Sequence, residues 1–434
     1  MKRYLFVFIM IIAFFFNSQI LSQVPNTVNE DISLIGRWNN NWCIAVAVNG
    51  TVSYHSTNDT LEIVDFSNPT SPVELKKMDF SSSTSEITDI FLSGNYAFVT
   101  TAWDGLHIVD ITDPAGTAEV GFYAGVDITE SVFVSGNYAY VSEAGSGLYI
   151  VDISTPSNPV EVGHFRNDNE VKGTFVSGNY AYVANGSAGL IILDISNPSN
   201  PVQVGSFFTG GFSFNVVVKE SYAYIADGSD LYIIDVSDPS NPVDVGYLGT
   251  GGYFMDIAVS GNCAYIADGS AGLCIVDVSD FSDLNEDALF DTEGYVQRIA
   301  VNGNIVYVAS RDGGLYVLQN NLITNVSNDQ LNIPKEYKLL QNYPNPFNPS
   351  TTIKYQISSP SVMLNSIQHL DDEVNVSLKV YDILGREVET LVNKQQQPGV
   401  YQVQFNADNF PSGIYYYRLN AGSYNQTRKM ILLK

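Results

Sequence analysis

The chain has 434 residues, with 46 Asp and Glu against 20 Lys and Arg and a formal net charge of −26. This length allows two or more domains and a large buried core. The acidity repels nucleic acid and anionic polymers at long range, which leaves cations, neutral glycans or plain solubility as its uses.

The first segment, "MKRYLFVFIMIIAFFFNSQILSQ", sets two basic residues before an apolar run from Tyr4 to Phe16, with Ser22 as a small residue at a cleavage point. That layout predicts a secretory signal peptide over 1–22. The alternative is an N-terminal anchor, for which the run is short. No Cys follows closely enough for a lipid anchor, and no other segment is apolar enough to cross a bilayer.

From residue 23 the pattern is all-β: short alternating apolar runs between Gly, Asn, Ser and Pro clusters, rich in Tyr and Phe. "ISLIGRW", Ile32 to Trp38, is an orphan strand. A motif Leu-x-Ile-Val-Asp then recurs, ending at Asp65, Asp110, Asp152, Asp194, Asp235 and Asp277, with a degenerate copy at Gln319. The steps are 45, 42, 42, 41, 42 and 42 residues, the period of a four-stranded propeller blade. In the third unit "ESVFVSG", "NYAYVSE", "GLYIVDIS" and "PVEVGHF" are the four strands, with a tight turn at Gly136-Asn137. The seventh unit lacks a "PVxVG" strand, and Ile32–Trp38 resembles one. The expectation is a seven-bladed β-propeller over 23–319 whose last blade is completed by strand 32–38.

These repeats resemble the LVIVD-repeat family of extracellular propellers. The resemblance implies a surface or secreted location and carries no catalytic residue.

Residues 320–337 read as a polar linker. Beyond them, Pro344, Pro346 and Pro349 break regular structure and lead into about six short strands, which predicts a small immunoglobulin-like β-sandwich over 338–434. "YPNPFNPSTTI", "VYDILGREV", "GIYYYRL" and the terminal "RKMILLK" closely resemble the C-terminal sorting domain of the type IX secretion system. On that resemblance the sorting motif comprises Tyr343, Pro344, Asn345, Pro346, Phe347, Asn348, Pro349, Gly385, Gly413, Tyr415, Lys429 and Lys434. The implied partners are the translocon and the protease that removes the domain. The implied destination is the medium or the outer cell surface. The stretch "SSPSVMLNSIQHLDDE" is longer than the connection expected there and loops out. Charge divides at the same boundary: residues 335–434 carry 10 basic and 8 acidic side chains, residues 23–334 carry 8 and 38.

Several patterns are assigned to structure rather than chemistry. The six repeat aspartates each precede a turn and can accept its backbone N–H groups. "ADGSD" at Ala226 and "ADGSAG" at Ala267 lack the alternating ligands of a calcium loop and are predicted tight turns. His55, His107, His164 and His369 have no metal-ligand spacing. Cys263 and Cys274 are expected on paired strands, Cys274 beside Tyr265, as diagonal neighbours too far apart for a comfortable disulfide. No metal, cofactor or catalytic residue is assigned.

The candidate site comes from disagreement among the units. The start of strand one holds Ala45, Asp89, Ser131, Gly173, Asn215, Asp256 and Arg298, and the loops entering it carry Phe212, Phe214, Tyr253 and Phe254. Asp89, Asn215, Tyr253, Asp256 and Arg298 are the candidate ligand-binding residues, for a protein or glycan, with neutral drift as the competing explanation. Two functions remain open: a non-enzymatic binding or adhesion module, or a polysaccharide hydrolase or lyase using Asp89, Asp256 or Glu130.

Overall fold

The computed structural model describes residues 31–38, 42–80, 85–125, 127–167, 169–322, 337–357, 374–396, 399–422 and 424–433. The expected signal peptide, nearly all of the linker, the long connection over 358–373, His369 and Lys434 lie outside them.

Every element within these residues is a strand or a turn. Seven antiparallel sheets form between Ile32 and Asn320. The third is typical, with Thr129–Ser135, Tyr138–Glu143, Gly147–Asp152 and Val160–Phe165 paired in sequence order. Each innermost strand touches the next, from Val46–Asn49 around to Val296–Asn302, which returns to Val46–Asn49. The fifth sheet has a single stretch, Tyr222–Asp235, spanning the second and third strand positions, and Gly228 (φ 58°) marks its corner. Strand Ile32–Trp38 pairs antiparallel with Gly314–Asn320, Ile32 facing Asn320 and Trp38 facing Leu315.

Two details of the repeat explain its uniformity. Asp65, Asp110, Asp152, Asp194, Asp235 and Asp277 each accept the backbone N–H two residues on, at 2.7–2.9 Å. The turn thus closes on itself, and the carboxylate has a structural task in each unit. The glycine of the fourth strand lies against the next sheet's turn. A Cβ on Gly121, Gly163 or Gly205 would come within 1.8, 2.2 and 2.0 Å of the carbonyl oxygens of Pro156, Pro198 and Pro239. Gly36 meets Pro69 in the same way, at 2.4 Å, so Ile32–Trp38 packs on the first sheet as the fourth strands of the second, third and fourth sheets pack on their successors.

The core runs between sheets. Phe91, Phe133 and Phe175, equivalent residues of consecutive inner strands, pack as tilted ring pairs with centroids 4.9 and 5.0 Å apart. At the seam between last and first sheets, Cys43, Val46, Val64 and Phe66 pack against Tyr307, Leu315 and Val317.

The cysteine register differs from expectation. The turn Gly269–Ala271 has three residues, so Cys274 faces Ile266 and Cys263 faces Asp277. An odd turn shifts the ladder by one and puts the two thiols on opposite faces. Both are free.

In the C-terminal domain, Lys338–Leu339, Ser350–Ile357 and Gly399–Asn406 form one sheet. Glu387–Gln396, Val374–Tyr381, Gly413–Ala421 and Tyr424–Leu432 form the other. Their inner faces close on Phe347, Ile353, Leu378, Phe405, Tyr417 and Met430. Tyr415 donates its hydroxyl to Pro411 O at 2.8 Å, a tyrosine corner of the kind that stabilises sandwich domains.

Candidate functional site

In an antiparallel four-stranded sheet, the loops that enter strand one and those that join strands two and three emerge at the same end. That end opens onto the central channel. Asp89, Ser131, Asn215, Asp256 and Arg298 converge there around a cavity of about 90 Å³. The residues two places further along each strand are apolar, among them Phe91, Phe133 and Ala258, and also line it.

The converging polar residues chiefly bind one another and the backbone. Asp89 accepts the amides of Ile90 (2.9 Å) and of Val132 in the next sheet (3.1 Å). Asp256 accepts those of Ile257 and of Ile299 in the next sheet, both at 2.9 Å, and also the side-chain amide of Asn215. Arg298 Nε lies 3.8 Å from Asp89 Oδ1. Burial pushes the carboxyls of Asp89 and Asp256 up, and the Arg298 charge opposes it. These residues form the floor of the site and tie neighbouring sheets together. Their oxygens are engaged in holding amides, an arrangement suited to structure rather than to acid–base exchange with a sugar.

A second cavity, about 200 Å³, lies at the mouth. It is lined by the residues one place earlier in each unit, including Thr88, Glu130, Lys172, Phe214, Met255 and Gln297. In four of the units the cause is a bulge. Pairing jumps from Ile87 to Asp89, from Thr129 to Ser131, from Ser213 to Asn215 and from Val296 to Arg298. Thr88, Glu130, Phe214 and Gln297 are therefore unpaired extra residues, and a bulge re-aims its side chain. Simple alternation cannot foresee this, and sequence reasoning passed over Thr88, Lys172, Met255 and Gln297. Glu130 is held by Lys172 at 2.7 Å, and Lys172 also meets Glu170 at 2.9 Å.

The rim is aromatic. Phe212, Phe214, Tyr253 and Tyr295 run as an arc across three sheets, with ring centroids 4.9, 5.3 and 6.4 Å apart. Trp103 (67% exposed), Phe208 (72%) and Tyr253 (47%) stand out on this end. Phe254, by contrast, is fully buried. The two aspartates of the "ADG" turns hold the rim loops. Asp227 accepts the hydroxyls of Thr209 (2.9 Å) and Ser213 (2.5 Å), and Asp268 accepts the Tyr253 amide at 2.6 Å. No group of three or more metal-ligating side chains gathers among the described residues.

Elsewhere, Ser53, His55 and Glu62 line up at 3.1 and 3.5 Å. All three are buried, 2% exposed at most, out of reach of any substrate.

Fold and site define a β-propeller with an aromatic-rimmed mouth, followed by a β-sandwich. The chain belongs to the LVIVD repeat family, whose model matches residues 45–79, 86–125, 128–167, 170–209, 210–250, 251–292 and 293–319. Residues 341–433 match the secretion system C-terminal sorting domain, which marks the protein for type IX export to the cell surface or the medium. No curated protein matches the sequence. Among solved structures, the chain is similar to the β-propeller domain of Cps50 (Swd1) from Myceliophteria thermophila, at 12% identity and TM-score 0.55, covering 66% of this chain and 99% of that one. It is also similar to PorZ, a surface component of the type IX system of Porphyromonas gingivalis, at 13% identity and TM-score 0.50, covering 91% and 60%. These likenesses concern fold. No helix among the described residues is long and apolar enough to cross a membrane.

Proposed function

We propose that the mature protein is a non-enzymatic binding module, a seven-bladed propeller over 23–319 closed by strand 32–38, which takes a glycan or protein ligand at the mouth. The translocon recognises the domain over 338–434, and a processing protease removes it. The observation that carries the reading is the contrast between the two ends of the channel. The mouth gathers Trp103, Phe208, Tyr253 and the aromatic arc, while the turns at the other end repeat one Asp-capped form and satisfy their own hydrogen bonds. Aromatic faces supply apolar contact to a sugar or peptide, and adjoining polar groups fix its orientation. Tyr253 touches the ligand directly. Asp89, Asn215, Asp256 and Arg298 shape the floor beneath it.

The test is a glycan array with a pull-down on the mature protein, followed by Tyr253→Ala and Phe208→Ala. Loss of binding in these, with none on changing Asn197 or Asn241 at the opposite end, is the expected result. The reverse pattern would put the site on the wrong face. Release of a reducing end or an unsaturated product from a bound polysaccharide would favour the hydrolase or lyase reading.

A further inference from the structure

Only eight Lys and Arg lie between residues 23 and 334, against 38 acidic residues. Three of the eight, Lys172, Arg298 and Arg311, line the mouth cavity. Lys172 is neutralised by Glu130 and Glu170, and Arg298 by the floor aspartates. Arg311 differs. Its guanidinium lies over the Trp42 ring, 4.8 Å from the centroid. Its Nε is buried and has no hydrogen-bond partner among the described residues. A buried, unpaired donor on a charged group is costly, and Arg311 makes no ion pair among the described residues.

Trp42 adds a second, independent sign. Its φ is 70°, in the left-handed region that a bulky side chain enters only under constraint, and such strain gathers at functional sites. The strained backbone places the indole under Arg311 and lets its N–H reach Glu86 Oε1 at 3.1 Å. Glu86 lines the same cavity. The mouth thus offers one cation that no carboxylate pairs among the described residues, in the same cavity as two acceptors, Glu86 and Glu130. Those carboxylates repel a second acid but accept hydrogen bonds from hydroxyl groups. A molecule that answers both demands carries one carboxylate and several hydroxyls on one small frame. At about 200 Å³ the cavity is smaller than the ~300–1,000 Å³ pockets that enclose a drug-sized ligand, so it takes a single unit of a longer chain.

We propose that the mouth binds one uronic-acid residue of a glycan, its carboxylate on Arg311 and its hydroxyls on Glu86 and Glu130. This rests on the binding reading above and names its ligand class. The local cation overrides the repulsion of the acidic surface at contact distance, where screening by solvent and salt is least.

The experiment is calorimetric titration of the whole mature chain with methyl glycosides of glucuronate, galacturonate and mannuronate. The corresponding neutral hexosides and a blocked aspartyl dipeptide serve as comparison probes. At least one uronide should bind about 10- to 100-fold more tightly than its neutral counterpart, the range of one charge-assisted hydrogen bond. Arg311→Gln should remove that preference, and Arg311→Lys should restore part of it. Gln297→Glu puts a further carboxylate into the same cavity while leaving Arg311 in place, and it should also abolish the preference for uronides over neutral hexosides. Equal binding of uronides and hexosides, no uronide binding, or a preference for the dipeptide would each overturn the proposal. A ligand lost on Tyr253→Ala but indifferent to Arg311→Gln would leave the binding face standing and remove the uronate.

Discussion

Trp38 donates its indole N–H to Glu62 Oε2 at 2.7 Å, joining the strand that completes the last sheet to the third strand of the first. Lys77 meets the other oxygen at 3.0 Å. Burial alone would raise the Glu62 carboxyl, but the hydrogen bonds from His55, Trp38 and Lys77 outweigh it and bring it down to about 2.

Glu62→Gln should therefore destabilise the propeller by about 1–3 kcal/mol at neutral pH, the cost of leaving buried donors badly paired. A carboxyl held low in the fold stabilises above its unfolded value and loses that contribution as pH falls through its folded one. The difference between wild type and variant should be full above about pH 4.5 and shrink toward pH 2. Denaturant titrations at several pH values measure it. A constant difference would mean that the charge plays no part.

Removing residues 23–38 takes away the whole closing strand and exposes the edge of Gly314–Asn320. An open edge of this kind invites pairing with other chains. The truncated protein should melt well below the intact one and aggregate on heating. Unchanged melting would show that the seam closes without it.

Gly163→Ala and Gly205→Ala should each cost about 1–3 kcal/mol, the range for forcing extra atoms into a packed contact. The obstacle is the backbone carbonyl of Pro198 or Pro239, which cannot swing aside as a side chain would. Gly50→Ala is the informative contrast. Nothing lies within 4 Å of its Cβ position, yet its φ is 61°, so any loss there reports backbone strain alone.

Arg298→Met should destabilise by about 3–5 kcal/mol, because it leaves buried carboxylates without a countercharge. Asp89 and Asp256 already sit above the ordinary carboxylate value, so the folded state holds their protons more tightly than the unfolded chain does. Stability relative to wild type should then recover as pH is lowered through their folded values. Thermal melts from neutral to mildly acid pH test the sign, and a deficit that grows on acidification would contradict it.

Fusing residues 338–434 to a periplasmic reporter, in a host with the type IX machinery, should carry the reporter to the surface. Within the domain, Tyr415→Phe removes the bond to Pro411 and should cost about 0.5–1.5 kcal/mol. Thermal melts of the two tail fusions report that loss directly. Retention of a folded wild-type fusion in the periplasm would point to the long connection over 358–373.

Much of the fold was legible because the repeat exposes its own rules. The spacing of Asp65 to Asp277 gives the period, and the same residues with their following Ser or Thr give the turn. Equivalence between units also placed Asp89, Asn215, Asp256 and Arg298 around one channel. Their burial and mutual bonding were not legible: before Asp89, Asn215 and Arg298 a bulge adds a residue at a point that alternation treats as regular, and the bonds of Asp256 cross to neighbouring sheets. The same insertion hid Thr88 and Gln297. Arg311 and Trp42 went unseen for another reason. They come from non-equivalent loops at the two ends of the repeat, so no comparison between units sets them side by side. The Cys263 and Cys274 register failed on a single turn residue.

The strand Gly314–Asn320 is the last of the propeller before the chain continues toward the sorting domain, and it is paired on both sides, with Ile32–Trp38 and Ile305–Ser310. Asn321 also donates its amide to Asp31 O at 2.7 Å, so the ring's two ends meet. Any tension arriving from the C-terminal side enters along the length of a strand clamped by two ladders. Tension along the strand axis loads those hydrogen bonds together, in shear, rather than peeling them one at a time. A propeller hauled or tethered by its tail therefore takes the load on a strand held along both edges, where a free-edged last strand would unzip.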